Sequence, residues 1–251
     1  EGINAVNLAS CPDTWGIPQG WTCANLNLVG SGANLEGADL SNANLTNYVE
    51  QGHPYLSYAD SRMRAVGLVG CPSSLPVGWS CANLNLVGPH ADISGANLSG
   101  SDLSGTDLFN VLGVGLESCP SSLPVGWSCA NLNLAGPHAD ITGADLSGSD
   151  LSETNLSGAR ATDLINCPWH LPPQWKCVGS SGGWLKNLVG PHANLVSVDL
   201  SELDLSFSNL SGAELHGTGL QNSDLTHSDL TNINPFGANL YYANISWSSL
   251  S

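Results

Sequence analysis

Eight cysteines carry most of the chemistry that this 251-residue chain can offer. They fall in four close pairs, Cys11/Cys23, Cys71/Cys81, Cys119/Cys129 and Cys167/Cys177. Zinc sites draw thiolates from gaps of about two to four residues, and no C-x-x-C occurs. An even count in repeated local pairs reads as four disulfides, each closing a small loop and worth roughly 2–3 kcal/mol by chain entropy. Disulfides imply an oxidising compartment.

Other chemical patterns are weaker. Residues 179–183, GSSGG, match the G-x-S-x-G nucleophile elbow with Ser181 at its centre. That motif has meaning only between a strand and a helix, and a Gly/Ser loop is the preferred reading. His90, His138 and His192 recur in three copies of G-P-H, where the first copy has Ser31-Gly32. A metal-binding ladder and plain turn residues both fit; the turn reading is preferred. No HExxH, P-loop, dinucleotide fingerprint or EF-hand loop occurs, so an enzyme is not expected. Sequons at Asn44, Asn97, Asn155, Asn209 and Asn244 arise from the repeated phrase N-L-S/T and are weak evidence for glycosylation.

Two periods must position these residues. The stretch CPSSLPVGWSCANLNL stands unchanged at 71–86 and 119–134, and Cys71, Cys119 and Cys167 mark a period of 48. Cys11 lies 60 residues before Cys71, which places about 12 extra residues within 47–63. A fixed long period points to a solenoid. The units run approximately 11–70, 71–118, 119–166 and 167–251 of one repeat domain, with regular coils over 193–251. Trp21, Trp79, Trp127 and Trp175 stand near the second cysteine of each pair. Each is expected to fold over the disulfide and neighbouring prolines.

The short period is five. From Leu195 to Leu250 every fifth residue is Leu, apart from Pro235 and Ile245, and a mostly small residue stands two places before it. Five residues advance about 500° on an α-helix and alternate sides on a strand, so neither buries every Leu. The chain must turn once per repeat, and Asn, Asp, Ser and Gly supply the corners.

The motif A-(N/D)-L-x-x over 33–45, 91–108, 139–156 and 193–251 resembles the pentapeptide-repeat family. The resemblance implies an all-β fold, a right-handed quadrilateral β-helix with about twenty residues per coil and inward ladders of Leu and small residues. Forty-eight is then two coils plus eight residues, and each cysteine pair brackets a disulfide-pinned excursion. Asp92, Asp102, Asp107, Asp140, Asp145 and Asp150 fall at the outward, corner-capping position. Carboxylates in register would stand about 4.8 Å apart and share a Ca2+ ion. Asn replaces Asp freely there, as at Asn97, which favours capping and no cofactor. Stacking at twenty residues also places Phe207, His227 and Trp247 in one outward column and Val196, His216 and Phe236 in another. With Tyr241 and Tyr242 they form an expected interface.

The formal charge is −16, with five basic residues. Phosphate binding needs clustered Lys and Arg, so direct nucleic-acid binding is not expected. No run of about 18 apolar residues suggests a membrane span. A start at Glu1 without Met fits a mature secreted product or a fragment. Open coil edges without caps suggest self-association end to end, as an oligomer or a fibre. The leading reading is a non-enzymatic structural solenoid, extracellular or at the cell surface, with a periplasmic or other oxidising lumen as the alternative. One rival, implied by the family, is an acidic DNA-mimic rod that binds gyrase. Another is a glycan- or ice-binding face, with a surface glycan or protein as partner.

Overall fold

The computed structural model describes residues 3–4, 6–7, 11, 21–30, 32–46, 62–179 and 185–250. The Ser181 stretch, Ser31 and most of the extra residues placed within 47–63 lie outside them. Among the described residues every helix-or-strand element is a short β-strand. The chain clusters into two compact units, Glu1–Val125 and Gly126–Ser251, each built in the same way.

The last three coils of the second unit show the rule. Bridges join Asn194 to Glu214 to Asn234, Asp199 to Gly219 to Asn239, Asp204 to Asp224 to Asn244, and Asn209 to Asp229 to Ser249. These are four parallel sides, each repeating after twenty residues. Leu200, Leu205 and Leu210 are wholly buried, as are the small Ala193 and Ala213. The core is therefore a ladder inside the coil. At most corners the residue two places before the next Leu donates its N–H to the carbonyl three places before it, as in Val198 to Leu195 (3.1 Å) and Ala213 to Leu210 (2.9 Å). The residue just before the small one has a positive φ at all eleven corners from Ser197 to Trp247. That is the type II turn, which demands the left-handed region at its third position.

The cysteine-bearing segments break this rhythm. In the first unit Met63↔Ala91 and Arg64↔Asp92 are 28 residues apart rather than twenty, and Asn34↔Arg64 are thirty apart. The eight surplus residues form a hairpin in which Ser80–Ala82 pairs antiparallel with Asn85–Val87. Its tip, Asn83-Leu84, has φ values of 49° and 63°, the type I′ geometry that matches strand twist. Cys71–Cys81 and Cys167–Cys177 close their segments, Cys11–Cys23 closes the first, and Cys119 and Cys129 are also disulfide-bonded.

The hairpin leaves the five-residue phase as expected, but its second strand returns to the core. Asn85, Leu86 and Val87 are all buried, and Leu86 joins the cluster of Leu35, Leu40, Leu45 and Leu68. One side chain locks it there. Asn85 Nδ2 donates to the carbonyls of Ala82 (3.0 Å), Asn83 (2.9 Å) and Asn97 (2.9 Å), while its Oδ1 accepts from Gly67 N–H (3.0 Å). A single amide thus joins the hairpin to residues from the preceding and following turns of the chain. Asn27, Asn133 and Asn187 take the same place in the other copies.

The tryptophans each meet a glycine. Trp79 lies flat on Gly88, and a β-carbon added to that glycine would fall inside the indole. Trp21/Gly30, Trp127/Gly136 and Trp175/Gly190 repeat the contact. The indole closes the base of the hairpin, where the strands diverge and only a residue without a side chain leaves room for it.

Candidate functional site

The aspartates resolve into a structural role. In each case Oδ1 accepts from the backbone N–H two residues on: Ser94 for Asp92, Ser104 for Asp102, Phe109 for Asp107, Thr142 for Asp140, Ser147 for Asp145 and Ser152 for Asp150. Asn44, Asn97, Asn155 and Asn209 make the same bond. Capping needs only an oxygen, which is why Asn and Asp alternate. The carboxylate pairs imagined for Ca2+ do not form at these six positions. Asp92 faces Leu112, Asp102 faces Ser122, Asp140 faces Arg160, Asp145 faces Asn166 and Asp150 faces His170 across the coils, and Asp107 N–H donates to Gly78 O. Among the described residues no group of three or more His, Cys, Asp or Glu is placed to hold a metal.

The caps have a pH consequence. Backbone N–H groups of Ser104, Ser147 and Ser152 hold Asp102, Asp145 and Asp150 below the ordinary carboxylate value. A depressed folded-state pKa gives stability that is complete above the unfolded value and lost as pH falls through the folded one. The capping carboxylates should therefore leave thermal melts unaffected from pH 8 to 5 and lower them below about pH 4. Replacing both Asp102 and Asp145 by Asn should make that acid decline shallower while leaving the neutral melting temperature nearly unchanged.

The G-P-H histidines sit at left-handed corners, with φ of 57–58°. His90 is half-buried against Phe109 and bonded to Asn110, and burial lowers its pKa. In the second unit His138 lies over Gly158, whose N–H donates to the His192 carbonyl (2.8 Å). A glycine layer thus stands between the two imidazoles, and His192 lies in turn over Gly212. That spacing separates their rings too far to share one ion.

The aromatic residues assemble as the twenty-residue period requires. Phe207 stacks on His227 (4.9 Å between centroids, 8° between planes), and His227 on Trp247 (6.3 Å, 9°). His216 stacks on Phe236 (5.2 Å, 11°), and Tyr241 OH donates to Tyr242 OH (3.2 Å). The planes are nearly parallel from coil to coil, so the columns show ring edges to the side. Trp247 is 83% exposed and Phe236 73%. Phe207, Tyr242 and Trp247 hold φ values of 56–65° at corners where Gly212, Gly217 and Gly237 also stand. A bulky left-handed residue costs about 1–2 kcal/mol, and such strain gathers at functional sites.

Coil 231–250 is where these features converge. Its inward residues are uncovered: Leu240 is 42% exposed, Ile245 39% and Leu250 61%, against 0% for Leu200 and Leu205. The coil beneath donates Leu215, Leu220 and Leu225 N–H groups upward to Asn234, Asn239 and Asn244. Leu240, Ile245 and Leu250 present the same donors outward, where no described residue receives them, and Pro235 has none to offer. The coil also contains no Asp, Glu, Lys, Arg or His, in a chain of charge −16. This neutrality was legible in the sequence but has meaning only once the twenty-residue coil is drawn.

A family model described as pentapeptide repeats matches in eight copies, over residues 24–47, 90–111, 138–164, 193–234 and 220–251, together more than half of the chain. The chain belongs to the pentapeptide-repeat family. Its coil is the right-handed quadrilateral β-helix of that family, here carrying disulfide-closed hairpins. Three solved structures are similar at 17% identity. They are Rfr23 from the cyanobacterium Cyanothece 51142 (TM-score 0.19; 64% of this chain, 84% of that one), HetL, a pentapeptide-repeat protein involved in heterocyst differentiation regulation from Nostoc sp. strain PCC 7120 (0.22; 85% and 75%), and QnrB1, a plasmid-mediated fluoroquinolone resistance protein (0.20; 64% and 80%). No curated protein matches the sequence. Pentapeptide-repeat proteins are in general non-enzymatic, protein-binding or structural folds, and no catalytic family is indicated.

Proposed function

We infer that this pentapeptide-repeat protein is a non-enzymatic structural solenoid of an extracellular or cell-surface environment, and that it associates with a second copy through coil 231–250. The carrying observation is that this coil is at once charge-free and aromatic, with Leu240, Ile245 and Leu250 exposed. What covers these residues has to meet a β-edge of quadrilateral section and a Leu/Ile core. Another coil of the same shape does both, and the missing charge lets two copies of a −16 chain approach there. Bonded cysteines support the oxidising environment, since no free cysteine is present among the described residues.

The stacked rings bear on the alternatives. A sugar ring is best received by an exposed aromatic face, and these columns offer edges to the side. An acidic gyrase-binding mimic works where thiols stay reduced, whereas these cysteines are paired.

Sedimentation across a concentration series tests the reading. Wild-type protein should associate reversibly, and Leu240→Glu with Trp247→Ser should weaken association at least about ten-fold, or about 1.4 kcal/mol, without lowering the melting temperature of the single chain. A wild-type protein that stays single at every concentration, or a variant that pairs as well, would sink the proposal.

A further inference from the structure

The hairpin that follows Cys71 is sewn to its coil on one side. Leu86 N–H donates to Ala65 O (2.9 Å), and Leu84 O accepts from Leu68 N–H (2.8 Å). Its other strand, Ser80–Ala82, keeps an outer edge. With a two-residue tip, Ala82/Asn85 and Ser80/Val87 are the pairs that exchange backbone bonds, so the N–H and C=O of Cys81 point away from Asn85–Val87. Cys81 there lines a groove of about 350 Å³ that runs between residues 80–83 and the coil corner 99–102.

The walls of this groove are braced, and the bracing spends their donors. Ser80 Oγ bonds Thr106 Oγ1 (2.6 Å), Asn83 Nδ2 donates to Asn97 O (3.1 Å) and Ser99 Oγ donates to Asn97 Oδ1 (2.7 Å). At Gly100 an added β-carbon would meet nothing within 4 Å, so that corner is open. A ligand therefore finds the Cys81 edge and the Asp102 carboxylate. Ser104 N–H holds that carboxylate below its ordinary value, and a carboxylate has about four acceptor sites, more than Ser104 fills. The unit Glu1–Val125 has ten Asp and Glu residues against Arg62 and Arg64. Arg64 is held by Glu36 (3.5 Å), Asp92 (3.6 Å) and Ser94 O (2.8 Å), and Arg62 donates to Asn110 (3.4 Å). In the second unit the same braces recur at Ser128/Thr154 and Asn131/Asp145, but His170 stands 3.6 Å from Asp150 and takes the place of an incoming cation.

We propose that the groove between residues 80–83 and 99–102 receives an extended, basic segment of a partner protein, whose backbone pairs with Cys81 and whose lysine or arginine meets Asp102. An outer strand edge is a template for one more strand, and an extended tripeptide spans about 10 Å, the length of Ser80–Ala82. The acceptor-rich wall selects a donor, and the acidic unit around it selects a cation. The braces hold both walls in place before the segment arrives, which lowers the cost of ordering them. Such a partner docks on the flank of the solenoid, independently of any pairing through coil 231–250.

The test is an NMR titration of the full chain, at neutral pH and low salt, with acetyl-Ala-Lys-Ala-amide as probe. Amide shifts should be confined to residues 80–83 and 99–102. Asp102→Asn keeps the corner cap and removes only the charge, so it should raise Kd about two- to five-fold, as for an exposed ion pair. Asp145→Asn removes the same charge from a cap outside the groove and should leave Kd unchanged. A probe with every backbone nitrogen methylated should bind more weakly, because it offers no N–H to the Cys81 carbonyl. Equal weakening by Asp102→Asn and Asp145→Asn would reveal diffuse attraction to an acidic chain and overturn the inference. So would a methylated probe, or n-butylammonium alone, that binds as well as the peptide, and so would the absence of shifts in the groove. None of these outcomes bears on the sedimentation test of pairing.

Discussion

Replacing Asn85 by leucine is expected to cost about 3 kcal/mol, read as a lower urea midpoint with an unchanged slope. Leucine keeps the same branched outline of four side-chain heavy atoms but is bulkier, so the loss combines the missing hydrogen bonds with some overpacking. Asn85 is 2% exposed and satisfies Gly67 N–H together with carbonyls of Ala82, Asn83 and Asn97. Each buried group left without a partner costs about 1–3 kcal/mol; the bond to the Ala82 carbonyl is fully buried and the other three are partly so. Asn133→Leu in the second unit should behave alike, because its amide donates to Ala130, Asn131 and Asp145. Asn97→Asp provides the contrast. Its cap on Ser99 needs only an oxygen, and the change should stay within about 0.5 kcal/mol. A leucine variant as stable as wild type would mean that the disulfide alone holds the hairpin.

The second large effect concerns Gly88. Its φ is not in the left-handed region, so alanine suits its backbone, but a methyl group would occupy the space of the Trp79 indole. Gly88→Ala should therefore destabilise by about 2–3 kcal/mol through overpacking, with a red shift of tryptophan emission as the indole is expelled. Combining it with Trp79→Ala should be strongly non-additive, since the methyl group then enters space already vacated. Gly95→Ala meets nothing within 4 Å and suffers only its positive φ, so it should cost about 1 kcal/mol. Additive Gly88 and Trp79 losses would show that the two residues do not clamp one another.

How much of this was readable differs from element to element. The Leu ladder was plain, because a period of five excludes both common elements and leaves a chain that turns at every repeat. The cysteine pairs were plain from their copying, and the aromatic columns followed once twenty residues were taken as one coil. The hairpin was not. Trp79 and Gly88 stand nine residues apart, as do Trp127 and Gly136, yet a glycine after a strand also reads as a simple turn. Only the antiparallel pairing of Ser80–Ala82 with Asn85–Val87 brings them face to face. Asn85 was hidden for a different reason. In C-A-N-L-N-L both asparagines look like turn residues, and position alone does not reveal which one is buried. The Ca2+ idea required carboxylates opposite carboxylates at those six positions, but the residues facing them one coil on include Leu112, Ser122, Arg160, Asn166 and His170.

The caps carry a wider meaning. Asp and Asn close the same corner with the same oxygen, so folding does not distinguish them, although one carries a charge and the other does not. Every capping position is therefore a free choice of sign written on an indifferent backbone. A lineage can repaint such a wall from strongly acidic to neutral, coil by coil, through single-nucleotide changes between aspartate and asparagine codons. Recognition in this architecture can drift quickly while the scaffold beneath stands still.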